Sequence, residues 1–102
     1  MKEYLGMYII RPKDLNEEMV ESVVSDINKI FTDNGSEVLE VNQWGMKDFA
    51  YVIQQADENG LTKYHRGYYV KFRVKATEVA IKEFSRVCNI REDILRHIIV
   101  KD

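Results

Sequence analysis

The sequence predicts an α+β protein whose elements run β-α-β-β-α-β, with four strands in one antiparallel sheet and two helices. Three observations carry this. Apolar side chains recur at helical spacing in two stretches, from Leu15 to Phe31 and from Ala80 to Cys88. Residues 67–75 alternate apolar and polar with a period of two, as a half-buried strand does. Apolar and aromatic runs at 3–11 and 93–101 supply a first and a last strand.

Each element has its own local reasons. In residues 3–11 the run Tyr4, Leu5, Met7, Tyr8, Ile9 and Ile10 reads as strand, and Pro12 ends it because it has no N–H to donate to a ladder. Gly6 inside that strand marks a bulge or a close backbone approach. Asp14-Leu15-Asn16-Glu17 reads as a helix start, with Asp14 capping the free N–H groups and Glu17 reaching back. Leu15, Met19, Val20, Val23, Val24, Ile27, Ile30 and Phe31 form one stripe, and Asn34-Gly35 supplies the stop.

Residues 36–55 read as a long strand. The piece from Ala56 to Arg66 is longer than a tight hairpin and reads as a loop with a mobile tip. In the third strand Tyr68, Val70, Phe72 and Val74 point one way, and Tyr69, Lys71, Arg73 and Lys75 the other. Thr77 caps a second helix that buries Ala80, Ile81, Phe84, Val87 and Cys88 and ends near Asn89. This order is the ferredoxin-like, or split βαβ, arrangement, which puts both helices on one face of the sheet and leaves the other open. No linker or repeat divides the 102 residues, so they read as a single domain.

Composition narrows the function. Apolar residues make up 45% and charged residues 31%, an ordinary globular balance. No apolar run approaches the ~20 residues of a membrane span, and the N-terminal stretch lacks the pattern of a signal peptide, so no membrane role is expected. Cys88 is the only cysteine, which excludes an internal disulfide and agrees with a reducing cytoplasm. A net charge of −2 argues against binding nucleic acid by bulk electrostatics, though not against a local basic face.

A search for catalysis finds little. His65 and His97 stand apart from any cysteine or carboxylate at metal spacing. Glu17-Glu18, Asp57-Glu58 and Glu92-Asp93 are sequence neighbours, which diverge on a helix or strand and make poor acid–base pairs. No Gly-rich phosphate loop is present, and Arg11-Pro12-Lys13-Asp14 has too little glycine to wrap a phosphate, which weakens an acylphosphatase-like reading. Neither an enzyme nor a small-molecule or cofactor site is read here, and no metal ligands.

Binding surfaces are more promising. Tyr69, Lys71, Arg73 and Lys75 on the open face offer cations for phosphates and one ring to stack, although taken alone they are read more simply as solvating an exposed sheet face. Arg66-Gly67-Tyr68-Tyr69-Val70-Lys71-Phe72 looks like the signature strand of an RNA-recognition motif but is one residue short. The shortfall sends Tyr68 and Tyr69 to opposite faces. Trp44 and Met46 suit either core packing under the helices or a partner surface, and a second strand at the sheet edge would attract a partner through its free backbone.

Taken in order, several anchors resemble the S-six family of bacterial small-subunit ribosomal proteins over nearly the whole chain. They are Tyr4, Ile9-Ile10-Arg11-Pro12, Leu15 with Glu17-Glu18, Gly35, Trp44-Gly45-Met46-Lys47, Phe49-Ala50-Tyr51-Val52-Ile53, Gly67-Tyr68-Tyr69 and Ile94-Leu95-Arg96-His97. Asp48 and Val52 depart from the family pattern, which favours a basic residue or Gln, and Pro, at those positions, and the sequence ends at Asp102 without the charged tail of many members.

The resemblance implies a non-catalytic cytoplasmic ribosomal protein. Such a protein binds the central domain of small-subunit ribosomal RNA as a heterodimer with ribosomal protein S-eighteen. By position it implies RNA contacts at Lys2, Lys47 and Arg96, to which strand alternation adds Lys71 and Arg73. For the partner surface the candidates are Trp44, Met46 and Phe49, together with Leu5 and Met7, which would make the open face apolar where the family is more polar.

Overall fold

The computed structural model describes residues 1–57 and 60–102. The elements are β1 (Lys2–Ile10), α1 (Glu17–Asp33), β2 (Glu37–Asp57), β3 (Gly60–Ala76), α2 (Glu78–Ile90) and β4 (Ile94–Lys101). The sheet order is β2-β3-β1-β4 and all three pairings are antiparallel. This is the ferredoxin-like arrangement, with β2 and β4 at the two edges.

The core lies between the sheet and the helices. On the sheet it takes Tyr8 and Ile10 from β1 and Val70, Phe72 and Val74 from β3. From above, α1 contributes Val20, Val23, Val24, Ile27 and Phe31, and α2 contributes Ala80, Phe84 and Cys88. Phe72 is the junction. Its ring lies 5.9 Å from Tyr8, 5.5 Å from Phe31 and 5.2 Å from Phe84, centroid to centroid. Gly6 stands directly opposite Phe72 in the β1–β3 register, and a Cβ there would collide with the Phe72 ring. The register runs unbroken through Gly6 on both sides, so this glycine marks a close approach and not a bulge.

Thr77 joins the two helices. Its Oγ1 accepts from the Ala80 N–H at 3.2 Å, capping α2, and donates to the Asn34 carbonyl at the end of α1. The Thr77 N–H in turn donates to Ser36 Oγ at 3.1 Å. At the other end of α2, Arg91 donates two parallel bonds to Asp93 and a third to Asp26 on α1. That guanidinium holds the Asp93 carboxyl below its ordinary range.

Three details differ from the sequence reading. The cap of α1 is Asn16, whose Oδ1 accepts from the Met19 N–H at 2.9 Å. Asp14 instead takes a positive φ of 56° in the turn before it, where the short polar side chain tolerates the left-handed region. The second helix runs one residue past Asn89, to Ile90, and Arg91 closes it.

The largest difference is in the hairpin. The segment from Ala56 to Arg66 is not a loop, because β2 and β3 stay paired out to Asp57 opposite Gly60. Polar side chains do not prevent a ladder whose bonds are all backbone, and Tyr64 and Ile53 face each other buried within it. Gly60, paired with Asp57, takes a φ of +104° that favours glycine. Of the piece from Ala56 to Arg66 expected to be a mobile tip, residues 58 and 59 lie outside the described residues.

Because Phe72 is enclosed by three rings, it cannot move aside cheaply. Gly6→Ala is expected to cost about 1–3 kcal/mol of stability, as overpacked cores do. Urea denaturation reads this as a lower midpoint at unchanged slope. An unchanged midpoint would mean that the ring is not confined.

Candidate nucleic-acid interface

Strand alternation fixes what faces away from the helices. On β1 these are Glu3, Leu5, Met7 and Ile9, paired with Lys75, Arg73, Lys71 and Tyr69 of β3. On β4 they are Arg96, Ile98 and Val100, opposite Ile9, Met7 and Leu5. On β2 they are Glu37, Glu40 and Asn42, opposite Lys75, Arg73 and Lys71. The face therefore has two halves. Leu5, Ile98 and Val100 expose an apolar strip along β1 and β4, β3 with β2 carries most of the charges, and Glu3 and Arg96 stand at the ends of the strip.

Trp44 stands on the charged half. The β2–β3 register shifts between Gln43 and Gly45, and Gly45 takes a φ of +84° that favours glycine. Trp44 follows Asn42 by period two onto the open face, where it is 50% exposed, and the bulge turns the next alternate residue, Met46, to the helix side. Lys71 Nζ sits 4.3 Å from the centroid of its ring and Lys47 Nζ 5.6 Å. Leu5, Glu40, Asn42, Lys71 and Arg73 complete a shallow groove of about 170 Å³ around it.

A second irregularity partly covers the face that the sequence reading left open. Between the pairs Asp48–Arg66 and Ile53–Tyr64, residues 49–52 stand opposite His65 alone. The outer hairpin there folds toward β4. Phe49 packs on Tyr69 with ring centroids 6.1 Å apart, and Gln55 Nε2 donates to the Glu92 carbonyl at 2.6 Å. Ile9, although on this face, is buried as a result. Between the fold and β4 lies a hollow of about 410 Å³ lined by Met7, Tyr51, Arg96 and Ile98 among others.

The residues nominated from the sequence thus divide. Lys47, Lys71, Arg73 and Arg96 share the open face with Leu5, Met7 and Trp44. Arg73 pairs with Glu40 at 3.9 Å. Arg96 has no ion-pair partner among the described residues. Asp48 is paired with Arg66 at 3.6 Å on the hairpin.

Of the other three, two lie on the helix side and Phe49 is cover on the open face. Lys2 alternates with Tyr4 and Gly6 and so lies on the helix side, at the sheet's end. Met46 is opposite Tyr68 and lines a groove of about 640 Å³ beside Leu15, Glu17 and Val20 of the α1 end, away from Trp44. Phe49 is half-buried by its internal contacts. Sequence reasoning missed Ile98 and Val100, which the period-two rule applied to β4 would have found.

The remaining titratable groups are structural. Burial pushes the Cys88 thiol up to about 12 and raises the Tyr8 phenol, so neither ionises near neutral pH. Tyr68 lies on the helix side and donates to Gln43 at 2.8 Å, so it offers no second ring beside Tyr69. Among the described residues no cluster of metal-ligating side chains occurs.

These features define a ferredoxin-like protein with a helix-free sheet face of mixed basic and apolar character. The chain matches the family described as Ribosomal protein S6 over residues 3–101, and it belongs to that family. It is 38% identical over 102 residues to the small ribosomal subunit protein bS6 of Phytoplasma mali (strain AT), covering 100% of this chain and 99% of the relative. The crystal structure of 30S ribosomal protein S6 from Thermotoga maritima superposes with a TM-score of 0.81 at 22% identity, covering 99% of this chain and 87% of that one. That likeness is one of fold. The family is one of ribosomal proteins and not of enzymes.

His97 gives a pH prediction. It faces Tyr8 across the β1–β4 pair and meets the Phe84 ring edge-on at 5.7 Å, and burial holds its pKa below the ordinary value. Below about pH 6.5 the unfolded chain therefore binds a proton that the folded chain resists, and stability falls as pH drops. Urea midpoints at about pH 7.5 and about pH 5.5 should differ less in His97→Phe than in the parent. An equal difference would assign the slope to other groups.

Proposed function

We propose that this chain is a constituent of the small ribosomal subunit. In this reading it binds the central domain of small-subunit ribosomal RNA through its open sheet face, together with ribosomal protein S-eighteen. The observation that carries the reading is the division of that face. Lys47, Lys71, Arg73 and Arg96 supply phosphate contacts, and the strip of Leu5, Met7, Ile98 and Val100 offers a protein partner apolar area on the same surface. The corresponding location is the cytoplasm, with the ribosome.

The mild acidity of the whole chain fits this arrangement. Glu3, Glu37 and Glu40 share the face, so the positive field is concentrated along β3 rather than spread over the protein. A chain of net charge −2 with a narrow basic strip makes few phosphate contacts alone. A basic partner bound beside it would add the rest of the field and steer the RNA.

A central-domain RNA fragment titrated with this protein, with and without S-eighteen and at several salt concentrations, tests the reading. Tight binding is expected only with both proteins. Lys71→Ala should weaken it and lower the salt slope by about one, as loss of one phosphate contact does. Arg96→Ala should likewise weaken binding with little loss of stability, since its side chain is exposed and unpaired in the free protein. Binding of unrelated single strands by this chain alone as tight as its binding of the fragment together with S-eighteen would contradict the proposal, and unchanged affinity in Arg96→Ala would remove that residue from the site.

A further inference from the structure

The environment of Trp44 does not match that of a residue awaiting an apolar protein pocket. Interface tryptophans that anchor a partner sit in dry, well-packed centres. Trp44 lies on the far side of the sheet from the exposed Ile98 and Val100, since β2 and β4 are opposite edges. Leu5 borders its groove on one side, and its other neighbours are the ammonium groups of Lys71 and Lys47, the Arg73–Glu40 pair and the Asn42 amide. Strand alternation after Asn42 places the ring on this charged strip.

We infer that Trp44 is a stacking platform for one unpaired RNA base, with Lys71 and Lys47 taking the phosphates that flank it. A half-exposed indole between mobile cations is the combination by which single-stranded nucleic acid is held: the ring meets the base and the cations meet the backbone. The two lysines suit this because each reaches the ring on a flexible stem and can exchange the ring for a phosphate without unfolding anything. Asn42 gives its Nδ2 to Glu40 at 3.0 Å, which leaves its Oδ1 free to accept from a base amino group. The site reassigns Trp44 from the protein-partner surface to the RNA surface, and it rests on the reading of the open face as RNA-binding.

Trp44 is the only tryptophan in the chain, so its fluorescence reports this site alone. The probe is a single-stranded hexa-adenylate RNA, with an abasic strand of the same length as control. Saturable quenching by the first and none by the second is expected. By anisotropy of the labelled strand, Trp44→Leu should bind about ten-fold more weakly and Trp44→Phe should recover most of the loss. Denaturation midpoints of both variants should match the parent.

Equal quenching by the abasic strand, or unchanged affinity in Trp44→Leu, would overturn the inference. So would a tryptophan that responds to ribosomal protein S-eighteen but to no RNA. If the central-domain fragment binds with S-eighteen while Trp44 stays silent, this inference fails and the broader reading stands. If hexa-adenylate quenches Trp44 but the fragment does not bind, the reverse holds.

Discussion

The packing of Phe72 against the gap at Gly6 is the constraint on which the rest of the structure depends. It fixes the β1–β3 register at the centre of the sheet, and three further rings tie that point to both helices. Strands alternate with a period of two, so a slip of one residue would turn Lys71 and Arg73 into the core and Phe72 out of it. The burial of one face therefore decides the chemistry of the other. The cations of β3 are aligned because the residues between them are held by the helices.

Departures from regular pairing then shape the open face. The bulge at Gly45 leaves Trp44 beside Lys71 and turns Met46 to the other side, and the offset of residues 49–52 folds the outer hairpin toward β4. Bulges of this kind re-aim side chains without changing the topology. The two effects pull apart what the sequence had grouped. Phe49 becomes internal cover, Met46 turns to the helix layer, and Trp44 joins the basic strip. Leu5, Met7, Ile98 and Val100 remain as the apolar half. A face so divided can hold two unlike partners side by side, and such a division suits RNA on one half and protein on the other.

Much of this was legible in the sequence, for physical reasons that differ by element. The helices were visible because apolar spacing reports their buried stripe, and the face of β3 was visible because its alternation is strict. The resemblance carried by Trp44-Gly45-Met46-Lys47 and its companion anchors pointed to the family that the comparisons establish. The register of β2 was not legible, since a bulge changes which way every later side chain points and no local pattern announces it. That is why Trp44 and Met46, two residues apart, could be assigned to one surface when the structure puts them on two. Asp14 and Asn16 are chemically equivalent as caps, so only the turn geometry could choose between them. The long hairpin looked like a loop because its polar side chains hide a backbone ladder.

The central claim is that the open sheet face, and not the helix layer, is where RNA docks. Amide chemical shifts of the labelled protein, followed as the central-domain RNA fragment and S-eighteen are added, test it most directly. The account predicts that the perturbed residues fall on Leu5, Met7, Trp44, Lys71, Arg73, Arg96 and Ile98, while the exposed faces of α1 and α2 stay unchanged. Perturbations confined to the helices, or to the groove beside Met46 and Glu17, would contradict it.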